Sequence, residues 1–152
     1  MQRITTFLWY NDQAEEAAKY YTSVFKNSRI TGIAKPENAP APGGKALVVN
    51  FELDGQQYTA MNGGPGFPFT WAVSLYVTCD TQEEVDYYWD KLSDGGEESK
   101  CGWLKDRWGL SWQIVPAALM KYLSGDDPEK ARRVMDVVMR SVKLNVKEIE
   151  EA

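Results

Sequence analysis

Residues 71–96 read WAVSLYVTCDTQEEVDYYWDKLSDGG, and this run contains one complete structural unit. Trp71 to Thr78 alternates apolar and polar residues and predicts a strand. Thr81 with Glu84 forms a capping box. Val85, Tyr88, Trp89 and Leu92 then recur at helical spacing, and Gly95-Gly96 ends the helix. The same plan stands upstream at a constant offset of 68 residues. There a short strand over residues 5–9 leads into NDQAEEAAKYYTSVF, whose Ala14, Ala17, Ala18, Tyr21, Val24 and Phe25 share one helical face. Asn11 or Asp12 is the expected cap, and Glu15 and Glu16 suit the positive end of the helix dipole. In register, Asp12 falls on Asp80, Glu15 on Glu83, Glu16 on Glu84, Ala17 on Val85, Tyr20 on Tyr88, Tyr21 on Trp89 and Val24 on Leu92. A shared stripe with a shared acidic start, each after a strand, indicates duplication.

Strands follow each helix. After the first come residues 28–34 (SRITGIA), a proline-bearing loop over 35–45 that is expected to be mobile, and ALVVNFEL and QQYTAMN joined by Asp54-Gly55. That dipeptide is a strong signal for a two-residue hairpin. After the second come ESKCGWL, the turn Asp106-Arg107-Trp108-Gly109, and LSWQIV. Each half reads β-α-β-β-β, an α+β plan in which the helix packs on one face of the sheet. The expected organisation is one domain over 1–152, built of modules at 1–62 and 70–115 and a helical extension at 116–152. Asn62 to Phe69 (NGGPGFPF) reads as a flexible linker between the modules. In the extension, Pro128 suits a first helical turn, with Ala131, Val134, Met135, Val138 and Val142 as the apolar stripe.

Composition narrows the function. The net charge of −5 and the lack of a Lys/Arg stripe argue against nucleic acid. No apolar run approaches the roughly 20 residues of a membrane helix. Cys79 and Cys101 lack metal-type spacing, and the opening MQRITTFLWYND carries no signal-peptide pattern, so reduced thiols and a cytoplasmic location are expected. The 152 residues include no histidine. That removes the commonest general base, every Ser/His or Cys/His dyad, and the most frequent transition-metal ligand.

Strand alternation nominates the remaining polar candidates. On the last strand Trp112 and Ile114 share the helix-facing side, which leaves Ser111, Gln113 and Val115 on the other. On the second module's first strand Val73, Leu75 and Val77 alternate with Ser74 and Tyr76. In the first module Asn50 and Glu52 alternate with Val49, Phe51 and Leu53, and Glu52 is the best general-base candidate in the chain. Cys101 has no histidine to activate it and reads as a packed thiol. Trp103, Trp108 and Trp112 read as packing residues, one of which could stack on a flat ligand.

Four stretches carry a resemblance: ITTFLWYNDQAEEAAKYY, FELDGQQYTAMNGGPGF, SLYVTCDTQEEVDYYWDKL and CGWLKDRWGLSWQIVP. With the doubled plan, they resemble the PhnB-like subfamily of the vicinal oxygen chelate superfamily, the glyoxalase, bleomycin-resistance and dioxygenase group. That subfamily is often labelled 3-demethylubiquinone-9 3-methyltransferase-like. The resemblance implies tandem βαβββ modules forming a curved mixed sheet, followed here by C-terminal helices. It also implies a divalent ion held by a His on the first strand of each half and a Glu on the last strand. Those positions fall on Thr6, on Ala72 or Ser74, and on Gln113. Neutral oxygens of Thr and Gln bind such an ion poorly, so the metal centre is expected to be lost and no cofactor is expected. Together with the strand alternation, these positions give the expected ligand-binding set Thr6, Asn50, Glu52, Ser74, Tyr76 and Gln113, holding a small molecule in the concave sheet of a homodimer paired through the helices after Pro116. The alternatives are a lyase or isomerase acting through Glu52 or a tyrosine, and the methyl transfer of the label.

Overall fold

In the computed structural model, which describes residues 1–38 and 41–152, the sequence repeat becomes two copies of one topology. The chain divides into two compact units, Met1–Pro68 and Phe69–Ala152. Two residues of the proline-bearing loop, Ala39 and Pro40, lie outside the described residues.

The first unit holds β1 (Thr6–Tyr10), α1 (Ala14–Val24), β2 (Arg29–Ala34), β3 (Val48–Leu53) and β4 (Gln56–Asn62). The sheet order is β1-β4-β3-β2, with β1 parallel to β4 and the other pairs antiparallel. Asp54 and Gly55 both take positive φ (49° and 78°), the two-residue turn that matches strand twist. Ala14, Ala17, Ala18, Tyr21 and Val24 are buried on α1, facing Leu8, Val49, Phe51 and Ala60 of the sheet. The three alanines let the helix approach closely. The larger side chains supply the burial, each worth roughly 1.5–3 kcal/mol.

The second unit repeats this with β5 (Ser74–Cys79), α2 (Gln82–Ser93), β6 (Glu97–Glu98), β7 (Trp103–Lys105) and β8 (Ser111–Pro116), in the order β5-β8-β7-β6. Val85, Trp89 and Leu92 are the buried stripe of α2. Thr81 caps that helix by accepting from Glu84 N at 3.2 Å, while the Glu84 carboxylate reaches back to Asp80 N at 3.4 Å. The reciprocal bond of the capping box thus lands one residue upstream of the cap.

The extension forms α3 (Ala117–Leu123), α4 (Pro128–Arg140) and α5 (Val146–Glu151). Pro128 opens α4 as expected, with Asp127 as its cap. Val134, Val137 and Val138 of α4 join Val115, Leu119, Leu144 and Ile149 in one cluster. Val134 and Val138 of the expected stripe are therefore buried within the unit, while Ala131 and Met135 stay partly buried outside that cluster. Val142 lies beyond the helix and is exposed, so it is not part of that stripe. Two devices fasten the tail. Gln82 clamps it by donating to Leu144 O (3.3 Å) and accepting from Val146 N (2.7 Å). Lys130 Nζ donates to Glu150 O and Ala152 O at the end of α5.

Two expectations about the first unit change. Neither Asn11 nor Asp12 caps α1: Gln13 occupies the cap position without a side-chain bond, and Asn62, at the end of β4, accepts from Ala14 N at 2.7 Å. The Asn62–Phe69 stretch is also more than a linker. Gly63 N and Gly64 N extend the pairing with β1 by donating to Tyr10 O and Asn11 O. Trp9 Nε1 donates to Gly64 O at 2.9 Å, and the Phe67 ring stacks edge-on to Trp9 at 5.0 Å. A Cβ on Gly63 would come within 2.3 Å of the Trp9 ring, so glycine is required there for close approach.

Candidate functional site

Each sheet has one face against its helix and one face turned away from it. In the second unit Leu75, Val77, Leu104, Trp112 and Ile114 share the α2 side, and Trp89 Nε1 on α2 donates to Glu98 Oε1 there at 2.9 Å. The in-register neighbours Ser74, Ser111 and Lys105, and then Tyr76, Gln113 and Trp103, alternate onto the opposite, open face. Ser74, Tyr76 and Gln113 are thus brought together as the sequence reading expects. Gln113 Nε2 donates to Ser74 Oγ at 2.9 Å, and Ser111 Oγ donates to Thr70 O. Tyr76 is 47% exposed, and its partial burial pushes the phenol above its ordinary value, so it stays a neutral donor at pH 7.

Trp103, one of the three tryptophans that could stack on a flat ligand, lies on this face, beside two residues the sequence does not nominate, Trp71 and Lys105. Trp71, just before β5, meets Trp103 edge-to-face with ring centres 6.4 Å apart, and Lys105 Nζ sits 4.5 Å from the Trp71 ring centre. The alternation of Trp103 and Lys105 in β7 was a readable signal for their shared face; the placing of Trp71 against them was not. Val115, two residues beyond Gln113 on the same side, belongs to the cluster of the C-terminal helices, so the extension packs at that end of the face.

In the first unit the open face carries Asn50, Glu52, Thr59, Phe7 and Trp9. Thr59 Oγ1 donates to Asn50 Oδ1 at 2.8 Å, and Glu52 pairs with Arg29 on the neighbouring strand at 3.3 Å. Thr6 is not among them. It pairs with Tyr58 and shares the parity of Leu8 and Tyr10, whose hydroxyl meets Tyr21 of α1 at 3.0 Å. The reason is a difference in connection length. Three residues separate β1 from α1 and two separate β5 from α2, so the offset that aligns the helices misaligns the strands by one. A one-residue slip exchanges the faces, and Phe7 stands where Thr6 was expected.

Among the described residues no group of three or more Cys, Asp or Glu side chains could hold a metal ion. The donors nominated for an ion are a neutral amide already bonded to Ser74 and a neutral hydroxyl, Thr6, on the helix side of its own sheet, a set whose chemistry does not fit a divalent cation. Elsewhere in the first unit, a cavity of about 270 Å³ is lined by Asp12, Glu15, Glu16, Lys35, Lys45 and Asn62 among others, and Lys45 is tied to Asp12 at 3.3 Å.

The two thiols differ sharply. Cys79 is fully buried, and burial, reinforced by the negative charges of Glu84 and Asp80, pushes its pKa to about 12. Cys101 is half-buried in a left-handed turn, its sulfur 3.9 Å from that of Met139. A thiol reagent at pH 8 is expected to modify one cysteine per folded chain, and none in Cys101→Ser, because a neutral buried thiol does not attack. Equal labelling of Cys79 in the folded protein would contradict this account of its surroundings.

Comparison with known proteins places this arrangement. Residues 2–115 match the family model described as 3-demethylubiquinone-9 3-methyltransferase. The structure of a Bacillus cereus PhnB protein, described by the same activity, is 40% identical to this chain, with 76% of this chain and 100% of that one covered at a TM-score of 0.71. The protein PA1353 of Pseudomonas aeruginosa (18% identity, 76% and 96% covered, TM-score 0.63) is similar in fold. So is the fosfomycin resistance protein FosX of Listeria monocytogenes (15% identity, 82% and 98% covered, TM-score 0.59). No curated protein matches the chain. No helix among the described residues is long and apolar enough to cross a membrane.

Proposed function

We propose, for a chain that belongs to the 3-demethylubiquinone-9 3-methyltransferase family and has its PhnB-like, glyoxalase-type fold, that the open face of the second sheet binds a small organic molecule without a divalent ion. The observation that carries this reading is the Gln113–Ser74 pair. Where the resemblance expects an ion-binding carboxylate, the chain has an amide bonded to a hydroxyl, beside the neutral Tyr76 phenol. Such groups orient a ligand's oxygens and nitrogens by hydrogen bonds; their charge is too small to hold a cation.

Binding to the folded state raises the unfolding temperature by mass action. A thermal-shift screen of small metabolites on the metal-stripped protein is expected to yield a stabilising compound. Gln113→Ala should weaken its binding about 3- to 10-fold, the worth of one hydrogen bond. A stabilising compound whose affinity is indifferent to Gln113→Ala, or one that binds only when a divalent ion is added, would overturn the reading.

Nothing on the first sheet favours proton-transfer chemistry, since Glu52 is engaged by Arg29. Methyl transfer gains no support either: the glycine-rich Asn62–Phe69 stretch leads towards β5, and no helix N-terminus follows it to receive a nucleotide. The protein also pairs as a homodimer in this reading, for which the helical extension after Pro116 keeps Met120, Met139 and Val142 exposed although Val134 and Val138 are buried. Phe7 and Val73 remain 57% and 65% exposed and are large apolar groups suited to a contact between copies. A monomeric mass by light scattering at micromolar concentration would reject the dimer.

A further inference from the structure

We infer that the ligand of this face is a planar anion, an aromatic or conjugated ring bearing a carboxylate or enolate, with Lys105 as its charge partner and the Trp71–Trp103 pair as its flat wall. The inference rests on the binding reading above and adds the ligand's class to it.

Three observations converge. Lys105 is a half-buried cation whose ammonium makes no ion pair among the described residues, in a chain of net charge −5. Glu97 faces it across the β6–β7 pair and stays outside ion-pair distance. Lys105 is instead held over Trp71; of its in-register neighbours on this face, Ser74 and Ser111 are uncharged, and Glu97 is a carboxylate that makes no ion pair with it. A cation kept on an aromatic wall and tied to no carboxylate favours an anion placed alongside. Second, Trp71 and Trp103 meet edge-to-face and are only half-buried, so a ring can be added to the pair. Third, Trp103 is the register partner of Gln113, which puts the wall next to the hydrogen-bonding pair. A ring against Trp103 therefore lies between the Lys105 cation on one side and the Gln113 amide on the other. The proposal requires no covalent step.

The test compares 1-naphthoate with its neutral isostere 1-naphthamide, read by quenching of tryptophan fluorescence and by calorimetry on the full chain at low salt. The wild-type protein is expected to bind the carboxylate about 10-fold more tightly than the amide, the usual return for a charge-assisted contact. Lys105→Met should abolish that preference while leaving the amide's affinity within about 2-fold, and Lys105→Arg should keep it. Gln113→Ala should weaken both probes alike. Equal affinity of the wild type for the two probes, with both still sensitive to Gln113→Ala, overturns the anion inference and leaves the binding reading standing. Failure of both probes to bind overturns the inference as well. If Lys105→Met changes the protein's mass in solution and not its ligand preference, the face is a contact between copies and the inference is wrong.

Discussion

Asp106→Ala is expected to destabilise the second unit by about 3–5 kcal/mol, the range seen when a buried charged acceptor is removed from its donors. Asp106 is 3% exposed at the turn between β7 and β8. Its Oδ1 accepts from Trp108 N and Leu110 N, both at 3.0 Å, and its Oδ2 accepts from Trp112 Nε1 at 2.9 Å. Its own carbonyl accepts from Gly109 N at 2.9 Å, closing the turn. Alanine removes the carboxylate that accepts from three donors, two of them on residues as buried as Leu110 (3%) and Trp112 (2%). Asn is instructive beside it. Its single oxygen can keep the two backbone donors, but its amide then points N–H groups at the Trp112 N–H, so Asp106→Asn should cost about half as much. Urea unfolding followed by tryptophan fluorescence measures both, and the expected order is wild type, Asn, Ala. An alanine variant within about 1 kcal/mol of wild type would show that the turn is held by its backbone bonds, Gly109 N to Asp106 O and Asp106 N to Leu110 O, without the carboxylate.

That carboxylate sits at the boundary between what residue types disclose and what only the folded chain brings together. The turn at Asp106–Gly109 was legible because its residue types demand it. So was the hairpin at Asp54-Gly55, where the residue types suit the positive φ of the favoured two-residue turn. The helix stripes were legible because burial on one face imposes a 3.6-residue period that the duplication then repeats. The doubled topology followed from these. What the sequence hid were interactions set by partners distant in the chain and by the length of a connection. Thr6 was misplaced because one additional residue between β1 and α1 changes strand parity without disturbing the helix stripe. Trp71 and Lys105 are 34 residues apart, and neither position marks the other in a linear reading. The Gln113 face was predictable because Trp112 and Ile114, on either side of it, had to be buried. Its bond to Ser74 depends on the parallel register of β5 and β8, which alternation within one strand does not define.

The α1 cap supplies the second large effect and the sharpest contrast between sequence and structure. Asn62 is 1% exposed; its Oδ1 accepts from Ala14 N at 2.7 Å and its Nδ2 donates to Ala46 O at 2.9 Å. Ala14 and Ala46 are themselves 0% and 2% exposed, so a replacement partner after truncation can come only from water in the adjoining cavity that Asn62 and Ala46 line. Asn62→Ala removes the partner of a helix-start donor and of a buried carbonyl together, at a cost of about 1–3 kcal/mol each and about 2–6 kcal/mol in sum, the lower part of that range if water from the cavity takes up either group. Asp12, the residue that local sequence nominates as the cap, makes only a half-exposed pair with Lys45 at 3.3 Å. Asp12→Ala should cost less than about 1 kcal/mol, the common worth of a solvent-screened pair. Asn62→Asp separates the two functions of the amide. A carboxylate preserves the acceptor for Ala14 N, where the helix dipole favours it, but opposes the Ala46 carbonyl with a second oxygen and buries a charge near Glu15 and Glu16. Its destabilisation relative to wild type should shrink as pH falls from 7 to 5, because a protonated carboxyl can donate to Ala46 O. Thermal unfolding of the four proteins at both pH values decides the matter. Should Asp12→Ala cost more than Asn62→Ala, the helix is capped from its own connection, and the bond across the unit from β4 contributes little.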